Sequence, residues 1–148
     1  MKDQMIIASI QMYSTGDKER NLQTMEKYLE HINKAFPNIK MVVFPELAAH
    51  GSISNMRKEA EAIPGELTSI FSNMANKYNL WLIPGSIYEK SDNEIFNTTP
   101  VFSSGGDLLG KYRKRYPWRP NEKTTPGGTH FTFDIDGFGT VGILSLIH

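Results

Sequence analysis

Apolar residues follow two different periods along this chain, and the periods alternate. Met5-Ile6-Ile7-Ala8-Ser9-Ile10-Gln11-Met12 is apolar almost without a break, the pattern of a strand buried on both faces. Thr15-Gly16-Asp17 interrupts it, and Asp17 is placed to cap a helix. From Lys18 to Phe36 the spacing changes. Leu22, Met25, Leu29 and Ile32 recur at helical intervals, with charged residues on the other face. Pro37-Asn38 stops that helix. Lys40 to Phe44 predicts a second strand, closed by Pro45. A loop with a short helix around Asn55–Ala62 follows. Pro64-Gly65-Glu66 opens another helix, with Leu67, Ile70, Phe71, Met74 and Tyr78 on one face and Asn79 as its left-handed cap. Leu80 to Tyr88 predicts a third strand, bent at Pro84-Gly85.

Beyond this point the pattern is one of strands and turns. Ile95–Ser103 and Leu108–Tyr112 flank the turn residues Ser104-Gly105-Gly106-Asp107. Thr129–Ile135 and Thr140–Ile147 flank Asp136-Gly137-Phe138-Gly139. Strand, helix, strand, helix, strand, then hairpins predicts an α/β chain with a mixed sheet and helices over one face. The last strand runs into His148 with no capping element, which is unusual for a complete domain.

Composition narrows the class. The 148 residues make one domain, long enough to bury about 70% of the surface of the unfolded chain. Hydrophobic residues at 39% and charged residues at 22% describe an ordinary globular protein. Sixteen basic residues balance sixteen acidic ones, so no net field draws nucleic acid or an anionic membrane. The absence of cysteine excludes disulfides, Cys-based zinc sites and thiol chemistry from this chain. No run is long enough for a membrane span or a signal segment, so a cytoplasmic protein is expected.

Two stretches carry candidate chemistry. Val42-Val43-Phe44-Pro45-Glu46 sets a glutamate at the carboxyl end of a buried strand, where open α/β sheets build their sites. Glu46 is therefore either a general base or a plain loop carboxylate. Lys111 to Arg119 holds five cations and three aromatics in nine residues. Three readings fit it equally: a surface that stacks and pairs with nucleic acid, a solvated edge strand, or a site in which one buried lysine meets developing negative charge. His50, four residues after Glu46, is a further candidate for lining a site. His31, His130 and His148 have no metal-ligand spacing. The pairs Gly105-Gly106 and Gly127-Gly128 read as turns, as do Asp134 and Asp136. Ser145 lacks the elbow of a serine hydrolase.

Taken in order, these segments resemble the nitrilase superfamily of carbon–nitrogen hydrolases. The resemblance rests on Ala8 with Gln11-Met12, Asp17 and Asn21-Leu22, and on Phe44-Pro45-Glu46-Leu47 with Gly51. It continues through Pro84-Gly85-Ser86 with Glu89, Phe96-Asn97-Thr98, and Gly106 before Gly110-Lys111-Tyr112-Arg113-Lys114. It closes on Pro126-Gly127, Gly139 and Val141-Gly142-Ile143-Leu144. The fold it implies is an α-β-β-α sandwich, of which this chain would form the N-terminal half. The catalytic set it implies is Glu, Lys and Cys. Glu46 becomes the general base and Lys114 the oxyanion-stabilising cation. Trp118 and Glu122, in Pro-Trp-x-Pro-x-Glu, look like the aliphatic amidase and formamidase branch, with Glu122 helping to position the substrate near Lys114 and Trp118 lining its site, beside the His50 already singled out by its spacing from Glu46.

The same resemblance locates what is missing. The family's cysteine lies four residues after a strand-heading glycine, and four residues after Gly142 stands Leu146. The expectation is a carbon–nitrogen hydrolase domain over residues 1–148, cut after about half its usual length and inactive for want of its nucleophile. Its substrate would be a small amide or nitrile, with no cofactor, metal, nucleic acid or membrane partner. Uncovered sheet edges would favour self-association into a homo-oligomer. A non-catalytic binding or assembly module on the same fold is the alternative, with single-stranded nucleic-acid binding through Lys111–Arg119 behind it.

Overall fold

The computed structural model describes residues 4–51 and 56–145. Three parallel strands open the main sheet: β1 (Ile6–Ser9), β2 (Ile39–Val43) and β3 (Trp81–Ile83). Helix α1 (Lys18–Ala35) connects the first pair. The short α2 (Met56–Glu59) and α3 (Glu66–Tyr78) lie between the second pair. The sheet then turns antiparallel through β4 (Ile87–Ser91), β5 (Glu94–Phe102) and β6 (Leu108–Arg113). The long β5 pairs with β3 and β4 and also with β6. A hairpin, β7 (Phe131–Ile135) and β8 (Gly139–Ile143), forms a second sheet.

Local chemistry sets the helix ends. The Asp17 carboxylate accepts the Arg20 N–H at 3.0 Å, so α1 starts where the sequence predicts. Gly65 has no side chain to cap α3. The Thr68 hydroxyl accepts the Gly65 N–H at 2.7 Å and the Glu61 carboxylate accepts that of Leu67 at 2.9 Å instead. Asn79 ends the helix at φ 51°, left-handed as expected.

Strand alternation sorts the sheet into two cores. Val42, Leu82 and Phe102 face the helices and pack with Met25, Leu29, Leu67 and Phe71. Met41, Ile83 and Val101 face the hairpin and pack with Phe133, Ile135 and Ile143. Gly110 lets the hairpin close down on β6, because a Cβ there would lie 2.3 Å from the Phe131 ring. The layers run helix, sheet, sheet, which is three of the four layers of the expected sandwich.

Four expectations change. β1 is not buried on both faces: Ile6 and Ile7 are 49% and 50% exposed, because among the described strands β1 pairs only with β2. The expected third strand is two, β3 and β4. Gly85, at φ 82°, turns the chain between them. The last strand, expected over Thr140–Ile147, closes at Ile143, before Leu144 and Ser145; Leu146 and Ile147 lie outside the described residues. Of the helix expected around Asn55–Ala62, the turn Met56–Glu59 forms; Asn55 lies outside the described residues.

Candidate active site

The end of β2 leads into a tight turn that brings the Glu46 carboxylate to Asn97 of β5 and to Lys114. Its neighbour Leu47 sits at φ 53°, a left-handed conformation costly for a side chain with a Cβ. The turn is held by the Leu47 N–H, which donates to the Ser86 hydroxyl at 3.1 Å, and by the Gly51 N–H, which donates to the Leu47 carbonyl at 2.7 Å. Gly85 brings the β3–β4 link against the same turn: a Cβ there would fall 1.9 Å from the Pro45 carbonyl oxygen.

Lys114 follows β6 directly. Its side chain is 3% exposed, and its ammonium donates to Glu46 at 2.8 Å and to Glu122 at 2.7 Å. Asn97, in the middle of β5, makes the same bridge: its amide nitrogen donates to Glu46 at 2.7 Å and to Glu122 at 2.9 Å. Glu122 also accepts the Trp118 backbone N–H at 3.0 Å and the Thr124 hydroxyl at 2.9 Å. Arg119 fastens this loop by donating to the carbonyls of Glu122 and Thr124.

The two carboxylates are not equivalent. Glu122 is enclosed, whereas the Glu46 side chain is 46% exposed and lines an open cleft of about 270 Å3. Leu47, Met56, Tyr88, Asn97, Lys114 and Trp118 line it too. Burial pushes the Glu122 carboxyl up, but Lys114, Asn97, the Trp118 N–H and Thr124 outweigh it and hold the group below the usual carboxylate range. Burial likewise pulls the Lys114 ammonium down, and its bonds to Glu122 and Glu46 more than restore it, so it stays charged above the ordinary lysine value. Burial and the two nearby carboxylates raise the Tyr88 phenol, which remains protonated. Glu46 also borders a second cleft, of about 320 Å3, lined by Val141 to Ser145.

The structure brings together Glu46, Lys114 and Glu122, with Trp118 at the rim and 60% exposed. It does not bring His50 to the cleft. The left-handed turn at Leu47 folds His50 inward, where its ring packs on Tyr88 with centroids 5.5 Å apart. Neither ring nitrogen has a partner among the described residues, and burial pulls its pKa down to about 4. Leu146 lies outside the described residues. Asn97 and Tyr88 join the cleft without any motif in the sequence that marks them as site residues. Asparagine is disfavoured inside a strand, so Asn97 between Phe96 and the β-prone Thr98-Thr99 is the available signal for the first. The basic run does not form one face. Lys111 and Arg113 pair with Glu89, Lys114 turns the other way, and Arg115 contacts His130. Among the described residues no group of His, Cys, Asp and Glu is arranged to hold a metal, and no helix is long and apolar enough to cross a membrane.

An architecture of this kind is that of the nitrilase superfamily. The chain belongs to the carbon-nitrogen hydrolase family, which it matches over residues 6–140. It is 32% identical over 148 residues to omega-amidase NIT3 of Saccharomyces cerevisiae, covering 88% of this chain and 50% of that one. It is 30% identical over 140 residues to omega-amidase NIT2 of Homo sapiens, covering 86% and 50%. The crystal structure of Saccharomyces cerevisiae Nit3, a member of branch 10 of the nitrilase superfamily, matches with a TM-score of 0.83 and 31% identity, covering 93% of this chain and 54% of that one. The chain thus spans about half the length of these relatives.

Proposed function

We propose that this chain carries the substrate-binding half of a small-amide hydrolase that works through an acyl-thioester, and that by itself it binds such an amide without turning it over. The observation that carries the reading is Lys114, enclosed and bonded to both Glu46 and Glu122. In the complete reaction, Glu46 takes the proton of a thiol, and the thiolate adds to the amide carbon. The carbonyl oxygen becomes an anion, and the Lys114 ammonium meets it without reorganising. The C–N bond breaks, and ammonia leaves with the proton returned by Glu46. Water, activated by the same carboxylate, then releases the acid and restores the thiol. Glu122 stays ionised and fixes Lys114 and Asn97. The resemblance puts the nucleophile where this sequence has Leu146, and a leucine offers no thiol.

The reading is tested by titrating the chain with propionamide while following backbone and Asn97 amide resonances. Saturable shifts around Lys114, Tyr88 and Trp118 in the millimolar range are expected, and they are lost in Glu122→Gln. Absence of saturable shifts in the unaltered chain overturns it. The omega-amidase relatives and the aliphatic-amidase look of Trp118–Glu122 share amide chemistry, so an amide is favoured over a nitrile.

An assembly role is a second reading, favoured by the half-exposed Ile6 and Ile7 on an edge strand. It predicts a dimer or larger species in light scattering. A monomer across the micromolar range removes it.

A further inference from the structure

A second charged cluster lies on the opposite face of the strands that carry the cleft. Glu89, in β4, is 1% exposed. Its carboxylate accepts the Lys111 ammonium at 2.5 Å, the Arg113 guanidinium at 2.9 and 2.6 Å, and the Thr98 hydroxyl at 2.7 Å. The Arg113 guanidinium also covers the Phe96 ring at 3.8 Å. Thr98 belongs to β5, and Lys111 and Arg113 to β6. One carboxylate therefore ties three strands, reaching across β5 to the strand on its far side.

The partners are spaced in a telling way. Tyr88 pairs with Asn97 and Glu89 with Phe96, while Thr98 pairs with Arg113. Each of Glu89, Thr98 and Arg113 is next in the chain to a cleft residue: Tyr88, Asn97 and Lys114. Successive strand residues point to opposite faces, so whatever fixes the first three in register fixes the second three on the cleft side. Stability alone is a poor reason for such a cluster, because an apolar set of similar volume is often as stable as a buried ion pair. Strand register is what the ionic bonds add.

We propose that Glu89 is a positioning residue for the Glu46–Lys114–Glu122 cluster, acting through β4, β5 and β6 to keep Asn97 and Lys114 within hydrogen-bonding distance of both carboxylates. The proposal rests on the reading of that cluster as the hydrolase site.

The Asn97 side-chain amide reports on it directly, since its nitrogen donates to both carboxylates. In the unaltered chain its two protons should resonate downfield of those of exposed Asn33. Glu46→Gln and Glu122→Gln should each move them, which tests the site itself. Glu89→Gln should move both protons upfield toward the Asn33 positions, with the resonances of α1 and α3 unchanged. If Glu89→Gln does not fold, Lys111→Met, altered far from Asn97, should produce a smaller shift in the same direction. Asn97 protons that respond to Glu46→Gln and Glu122→Gln but stay in place in Glu89→Gln, or in Lys111→Met where Glu89→Gln is unfolded, overturn the positioning role alone. Protons indifferent to Glu46→Gln and Glu122→Gln overturn the site reading instead.

Discussion

On one face of β4, β5 and β6, one lysine is shared by two carboxylates. On the other face, one carboxylate is shared by a lysine and an arginine. The cleft cluster carries an excess negative charge, and one of its carboxylates opens to solvent. The Glu89 cluster carries an excess positive charge, and its carboxylate is enclosed by donors. Enclosure with every bond satisfied suits a group that holds structure. A carboxylate bonded on one side and free on the other suits a group that must take up and return a proton. The same residue types thus form two clusters on opposite faces of one set of strands, and burial of the carboxylate separates them.

The contrast can be broken by substitution. Glu89→Ala leaves two cations without their partner and should cost about 4 kcal/mol, at the scale of breaking a buried pair. Urea denaturation measures it, and a loss no larger than that for Glu46→Ala would erase the distinction between the faces.

Acid should act on the buried His50 first. His50 has a folded pKa of about 4 against 6.5 when unfolded, so the unfolded chain binds that proton more readily. Stability is complete above pH 6.5 and falls as the pH drops, by about 3 kcal/mol at pH 4. His50→Phe should flatten this limb in denaturation midpoints taken from pH 7 to pH 4. Glu89 acts lower. Burial opposes its charge, but Arg113, Lys111 and Thr98 bring its carboxyl down from 4.5 to about 2, so its contribution is complete above 4.5 and is lost as the pH falls through 2.

Asn97→Ala removes two bonds to carboxylates and should destabilise by about 2 kcal/mol. It should also abolish propionamide-induced shifts at Lys114 while leaving the Glu89 cluster intact. Arg119→Lys should have the smallest effect, about 1 kcal/mol, because a lysine cannot span the carbonyls of Glu122 and Thr124 as a planar fork does. It should loosen the Trp118–Glu122 loop, which amide hydrogen exchange detects.

Much of this was legible in the sequence where the signal is local. Both long helices, their caps at Asp17 and Asn79, and the turns between later strands follow from spacing and turn chemistry. Glu46 was legible as a candidate because the end of a strand is a recognisable place, although its role stayed open. Properties set by distant residues were not legible. The apolar run of β1 reads as buried, yet its burial depends on which strands lie beside it. His50 lies four positions after Glu46, but only the left-handed turn at Leu47 decides that one faces the cleft and the other the interior. Lys111, Arg113 and Lys114 read as one basic run until strand alternation sends them to opposite faces. Asn97 and Glu89 gain their partners across strands, which the linear sequence does not display.

The central claim is that the cleft holds an amide beside Glu46 and Lys114 and that this chain does not hydrolyse it. Ammonia release from propionamide by the purified chain tests this most directly. The account predicts release no faster than the protein-free blank. Release above the blank that disappears in Glu46→Gln or Lys114→Ala would contradict it.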